Sequence, residues 1–308
     1  MDKRYTYYPG CSLHATGIAY DKSMRAVFTK LGSELAELED WNCCGATAYM
    51  SVQKTVAFAV SARNLALAEQ AGDDVVAPCS ACSYALKHTR EGMADDPQLR
   101  SQISAALAAG GLEADLTVEV RHPLEVLLTD IGIAGLAEAQ THSLEEFRPA
   151  CYYGCQIVRP FGAVPEEDPE LPMSMEKLFT ALGARPVDYP PKVRCCGGML
   201  VATMPEVATD LSVDLVDWAI ANEANCIVTV CPLCQSNLDL INVTKGTNGA
   251  SHQIPVLYFT QLIGLALGCT PEELGMQHAL IPPDAHAPPL RVSSRHDVPV
   301  TIAGAREG

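Results

Sequence analysis

The sequence predicts an α/β fold built as two tandem duplicated domains, each around a mostly parallel sheet. Three observations carry this expectation. Short β-rich runs alternate with helical periodicities along the chain. A set of five cysteines occurs twice, with the same 34-residue gap inside each copy. The cysteines also fall where a strand run gives way to a helix, the edge of an open α/β sheet at which ligands bind.

The elements follow in order. "YTYYP" (5–9) is a β-rich run, and "GIAYDKSMRAVFTKL" (17–31) has helical periodicity and stops at Gly32. "ELAEL" (34–38) reads as a short strand, and residues 51–72 read as a long helix closed by Gly72. "DVVAP" (74–78) is a strand run leading into a CxxC, after which helix resumes over 83–93. Residues 94–120 read as a helical excursion with a loop, 120–136 as a strand end and a closing helix, and 141–150 as a connection. The second half repeats this plan, with its long helix at 206–224 and an exposed Pro-rich, acidic insertion, "GAVPEEDPELP" (162–172). From about residue 271 the composition turns Pro-rich, as expected of a tail that wraps the surface or is disordered. The expected division is 1–147, 148–270 and a tail at 271–308.

The totals narrow the function. A chain of 308 residues with 48% hydrophobic and 19% charged residues is globular. A formal charge of −16 repels phosphate backbones and anionic membranes, so no nucleic-acid partner is expected. No apolar run reaches the roughly 18 residues of a membrane helix, and no secretory signal is seen, so a cytoplasmic chain without membrane insertion is expected. "PVLYFTQLIGLALG" (255–268), the most apolar stretch, reads as a buried helix or as an interface. In such a compartment the 13 cysteines are reduced and available as ligands or redox groups.

In the first half Cys11 precedes Cys43-Cys44, and Cys79 and Cys82 form the CxxC. In the second half Cys155 precedes Cys195-Cys196, and Cys231 and Cys234 form the CxxC. Cys226 and Cys269 read as buried small hydrophobes, a reading that does not suit pairs repeated in register. Structural zinc needs four ligands, which leaves one thiol over in both halves. An iron–sulfur cluster has several irons, so neighbouring thiols can serve different ones, and this reading is favoured over zinc. A dithiol redox pair would not need the three further thiols.

At these motifs the chain resembles the B-type subunit of heterodisulfide reductase. The resemblance rests on the duplicated cysteine pattern together with "YPGC", "VRHPLEVL", "YYGCQIVRP", "CCGGMLVATMPEVA" and "VTVCPLCQSNLD", and spans roughly residues 5–270. The 34-residue gap is slightly shorter than the family pattern usually has. The resemblance implies two Rossmann-like CCG domains, each holding a noncubane four-iron, four-sulfur (4Fe-4S) cluster at its strand-to-helix loops. It assigns Cys11, Cys43, Cys44, Cys79 and Cys82 to the first cluster, and Cys155, Cys195, Cys196, Cys231 and Cys234 to the second. A disulfide would be cleaved or formed between the clusters, which are themselves the catalytic groups, with no acid–base residue assigned.

The chain has no GxG fingerprint and no ferredoxin-type run of its own, so its electrons come from partners, which the resemblance implies are an iron–sulfur C-type subunit and an FAD-containing A-type subunit. A sulfur-oxidation subunit acting on carrier-bound, lipoate-type sulfur and a non-catalytic electron-transfer subunit are the alternatives. Cys151 has no repeat partner and stays outside the ligand set. His14, His122, Arg159, Lys192 and Arg194 are weaker candidates, each with a structural or surface reading beside it.

Overall fold

The computed structural model describes residues 3–46, 49–115, 117–162, 164, 167–245 and 254–283. In the first half come β1 (Lys3–Tyr7), α1 (Gly10–Leu13), α2 (Ile18–Lys30), β2 (Ser33–Glu37), α3 (Tyr49–Val52), α4 (Lys54–Ala71) and β3 (Val75–Val76). They are followed by α5 (Ser80–Asp95), α6 (Pro97–Ala109), β4 (Val120–Arg121), α7 (Pro123–Val126), a π-helical turn (Leu127–Ile131) and α8 (Gly132–Glu138). The second half has β5 (Pro149–Tyr152), α9 (Ser174–Ala181), a 3-10 turn (Pro190–Val193) and α10 (Pro205–Ala221). It ends with β6 (Cys226–Thr229), α11 (Pro232–Lys245), β7 (Val256–Tyr258), α12 (Phe259–Ala266) and a 3-10 turn (Met276–His278).

The strands form two sheets, in the orders β2-β1-β3-β4 and β5-β6-β7, and every pairing is parallel. The expected α/β architecture with a tandem repeat is therefore what the chain adopts. By position β5, β6 and β7 repeat β1, β3 and β4. The counterpart of β2 is missing among the described residues. Arg185 and Val187 donate their N–H groups to Phe147 O (2.9 Å) and Pro149 O (3.1 Å), as a strand would. Pro186 between them, and Pro190-Pro191 after them, have no N–H to continue a ladder.

Helix boundaries follow local chemistry. In α2 the buried Tyr20, Met24, Val27 and Phe28 recur at helical spacing. α4 ends at Gly72, which takes the left-handed φ of +85°. α6 opens with Pro97 at its first position and the Asp96 carboxylate accepting from Gln98 N and Leu99 N, at 3.0 and 3.1 Å.

The halves do not keep separate cores. Tyr5, Tyr20 and Phe28 of the first half and Leu257, Phe259 and Ile263 of the second lie in one buried cluster. Tyr20 stacks on Tyr258 with ring centroids 4.3 Å apart, and the Ser23 and Thr260 hydroxyls bond at 2.6 Å. At about 1.5–3 kcal/mol per large apolar side chain, α2 against α12 is a substantial joint between the repeats. α12 is buried throughout, as its sequence suggests. Residues 271–283 belong to this body: Leu274 and Met276 are buried, and Leu274 O accepts from Gln261 Nε2 at 3.0 Å. The expected tail beyond them, 284–308, lies outside the described residues.

Candidate functional site

β1 and β5 each run into a left-handed glycine and then a cysteine. Gly10 has a φ of +66° and Gly154 of +74°. A Cβ on Gly10 would sit 3.0 Å from Cys82 Sγ, and one on Gly154 would sit 3.3 Å from Cys234 Sγ. Glycine is thus required twice over, for the backbone turn and for the approach of the CxxC thiol. Two residues earlier, Tyr8 and Tyr152 repeat another device. The Tyr8 hydroxyl donates to Asn42 O at 2.7 Å, and the Tyr152 hydroxyl to Arg194 O at 2.8 Å. Each carbonyl belongs to the residue just before a vicinal cysteine pair. Burial, and next the nearby thiols, push both phenols well up, so they remain donors.

The vicinal pairs lie on loops running into α4 and α10. Gly45 and Gly197, with φ of +76° and +74°, let those loops press against the helices: a Cβ on Gly45 would lie 3.1 Å from Ala57 O, and one on Gly197 2.6 Å from Ala208 Cα. The CxxC cysteines sit at the N-termini of α5 and α11. The first of these helices begins at Ser80, three residues before the expected resumption at 83, so Cys82 is itself helical.

All ten cysteines of the two sets are brought to one region. Cys44, Cys79, Cys82, Cys196, Cys231 and Cys234 are buried in a single cluster drawn from both halves. Cys11, Cys43 and Cys195 are exposed and Cys155 is half-buried. Each set therefore has an outer edge near solvent and an inner edge facing the other set. Cys44 Sγ and Cys82 Sγ are 3.2 Å apart, and Cys196 Sγ and Cys234 Sγ 3.4 Å apart. The two inner edges meet: the buried thiols of Cys79 and Cys231, equivalent residues of the repeat, lie near enough to shift each other's protonation, Cys79 up and Cys231 down.

Protons are shared across this sulfur network. Hydrogen bonds from Cys43 and then Cys82 hold Cys44 down to about 4. A hydrogen bond from Cys155 holds Cys195 down to about 6. Cys196 is lowered by Cys234, and Cys231 by Cys234 and then Cys79. The donors Cys43 and Cys155 are pushed correspondingly up. Gly197 N and Gly198 N add contacts of 3.3 Å to Cys195 Sγ and Cys196 Sγ.

Among the described residues, no three or more His, Cys, Asp or Glu side chains converge on a position for a single ion. The thiols meet in pairs instead. Five sulfur donors in each half suit an iron–sulfur cluster better than one tetrahedral ion.

A narrow cleft with room for roughly one water, about 10 Å³, lies beside residues that adjoin both sets, Ser80 next to Cys79 and Gln156 next to Cys155. Ser80, Ser83, Tyr84, Lys87, His122, Gln156, Ile157 and Phe161 line it. Ser80 Oγ is buried without a hydrogen-bond partner, and Lys87 pairs with Glu125 at 3.3 Å. On the repeat-related side Gly17 packs against Pro232, where an added Cβ would lie 3.2 Å from the Pro232 Cβ.

Of the weaker candidates, His122 lines this cleft and the others do not. His14 is exposed, 3.2 Å from Glu37 and edge-on to Trp41. Arg159 pairs with Glu170, and Arg194 is exposed. Lys192 is buried against Glu176, which also accepts from the Tyr153 hydroxyl at 2.6 Å, so it is a core ion pair and not a surface cation. Cys151 lies in the core of β5, and Cys226 and Cys269 are buried as expected. Sequence reasoning passed over Tyr8, Tyr152 and the cleft residues Ser80 and Gln156. The tyrosines were visible as the repeated first letter of "YPGC" and "YYGC".

A duplicated α/β protein whose repeats pool their thiols at one sheet edge defines a class, the cysteine-rich domain proteins. The cysteine-rich domain named CCG matches residues 5–87 and 150–239. The chain belongs to the family of heterodisulfide reductase B-type subunits, with this domain duplicated. A protein of Archaeoglobus profundus, itself described as like the B-type subunit of heterodisulfide reductase, is 33% identical over 277 residues, 88% of this chain and 93% of the relative. The B-type subunit of the ferredoxin:CoB-CoM heterodisulfide reductase of Methanosarcina mazei is 29% identical over 87% of this chain and 90% of its own. The membrane anchor subunit of 8-methylmenaquinol:fumarate reductase from Wolinella succinogenes is 36% identical over 282 residues, 91% of this chain and 98% of the relative. In fold, a hypothetical protein from Helicobacter pylori superposes with a TM-score of 0.69 at 13% identity, over 91% of this chain and 53% of that one.

Proposed function

We propose that this chain is the iron–sulfur subunit of a heterodisulfide reductase-like complex, in which a disulfide is opened or formed between two noncubane 4Fe-4S clusters. Cys11, Cys43, Cys44, Cys79 and Cys82 hold the first cluster, and Cys155, Cys195, Cys196, Cys231 and Cys234 the second. The observation that carries this reading is the convergence of two complete five-thiol sets, whose inner members share one buried cluster. A degraded or purely structural half has no need of a full set.

When bound, the clusters supply electrons one at a time, two of which a disulfide requires. The chain does the rest. Tyr8 and Tyr152 pin the vicinal loops, Gly10 and Gly154 admit the CxxC thiols, and burial of the inner edges excludes water. Electrons are exchanged with an iron–sulfur C-type subunit and an FAD-bearing A-type subunit in the cytoplasm. Anaerobic purification with iron, zinc and acid-labile sulfide assays tests this. About eight irons with matching sulfide per chain are expected, and stoichiometric zinc without sulfide overturns it.

A second reading has its own observation. Met199, Val201, Met204 and Val207 are exposed in one stretch beside Cys195-Cys196. Together with the likeness to a membrane anchor subunit, this favours a complex that exchanges electrons with a quinol at the bilayer surface. Among the described residues no helix is long and apolar enough to cross a membrane. Co-sedimentation with zwitterionic vesicles, lost in Met199→Ser/Met204→Ser, is its expected outcome; no sedimentation of the intact chain removes it.

A further inference from the structure

Cys79 and Cys231 approach each other from different sheets, one after β3 and the other after β6. The carbonyls just before them, Pro78 O and Val230 O, lie 2.9 and 3.2 Å from one atom, His122 Nε2. The other ring nitrogen is committed, since Nδ1 accepts the Leu124 N–H at 3.1 Å and caps α7. That bond places the ring proton on Nε2, from which it is donated to both carbonyls. The ring is buried. The equivalent position in the second half, at the start of α12, holds Tyr258, whose hydroxyl goes to Gln235 Oε1 at 3.2 Å. One residue without a repeat counterpart therefore ties both CxxC loops together.

We propose that His122 is a positioning residue that fixes the separation of the two CxxC loops and so of the two thiol sets. Its consequence for electron transfer rests on the function proposed above, whereas the tie itself stands on hydrogen bonds that need no metal. Val230 O also accepts from the Tyr20 hydroxyl at 3.1 Å. His122 therefore matters most for the loop of Pro78, which it holds to its partner across the junction.

His122→Asn separates the two jobs of the ring. Asparagine is a good N-cap and keeps the bond to Leu124, but its side chain is too short to reach both carbonyls. In the reduced, metal-free full chain, diamide takes two electrons and two protons from a thiol pair as the disulfide forms. Mass-spectrometric mapping is expected to show the Cys79–Cys231 disulfide falling about tenfold relative to Cys44–Cys82, with Tyr258→Phe unchanged. In the cluster-loaded protein kcat falls while KM holds, and the magnetic interaction between the two sites weakens. Equal loss of both disulfides, or no loss, overturns the proposal. Nitrogen-15 histidine spectra of the unmutated chain test it whether or not the variant folds: a slowly exchanging Nε2–H is expected, and the Nδ1–H tautomer refutes it. If the crosslink shifts in a protein that binds no iron, the tie stands and the redox reading falls.

Discussion

Asp130 shows how single groups hold the first sheet to its helical flank. Its carboxylate accepts from Lys3 Nζ at 2.5 Å, Tyr5 Oη at 2.6 Å and Arg121 Nη2 at 2.7 Å, joining β1, β4 and the π-helical turn. Burial pushes the carboxyl up, but the bonds from Arg121, Lys3 and Tyr5 outweigh it and hold it well below the usual range. The unfolded chain therefore takes up the proton first as pH falls. The stabilisation is full above about pH 4 and is lost as pH drops through the folded value. Asp130→Asn should lower stability at pH 7 and flatten the acid limb of the stability curve below about pH 4, as read by denaturant midpoints. An unchanged acid limb would show that the network contributes nothing. Residue-level roles of this kind were not legible in the sequence. Lys192 sits three positions before the second cysteine pair and reads as a site or surface cation, yet it is buried against Glu176, which arrives from α9. Pairings set by tertiary packing leave no local signal.

At the scale of elements, the sequence was far more legible. Helices stop at Gly32 and Gly72, both left-handed as expected, and the ends of α2, α4 and α10 fall within a few residues of their periodicities. The second-half partner of β2 was not legible as a loss, because its sequence departs from the repeat through prolines. The glycines of the cysteine loops carry a sharper prediction. Gly72→Ala meets nothing within 4 Å and should cost only the backbone strain of a positive φ, about 1 kcal/mol. Gly197→Ala adds a contact of 2.6 Å with the α10 backbone and should cost a further 1–3 kcal/mol. It should also lower metal loading of the second set while sparing the first. Equal effects from the two substitutions would mean that α10 does not constrain the Cys195-Cys196 loop.

For the whole molecule, the duplication explains both the shared core and the single site. Each repeat brings one sheet edge of thiols, and packing α2 against α12 turns those edges towards each other. The register of the repeat was plain from two equal gaps, and it matched Cys11 with Cys155 and Cys79 with Cys231. That the last two would be buried together was not legible, because no linear spacing encodes how two sheets face. The central claim is that the paired sets hold two clusters between which a disulfide is handled. The direct measurement is EPR of the anaerobically purified, oxidised full-length protein, titrated with small thiols. The account predicts a paramagnetic iron–sulfur signal whose shape changes on thiol addition and which is lost when Cys79 and Cys231 are both replaced by serine. Clusters whose signal ignores every thiol would contradict it and leave the chain an electron carrier.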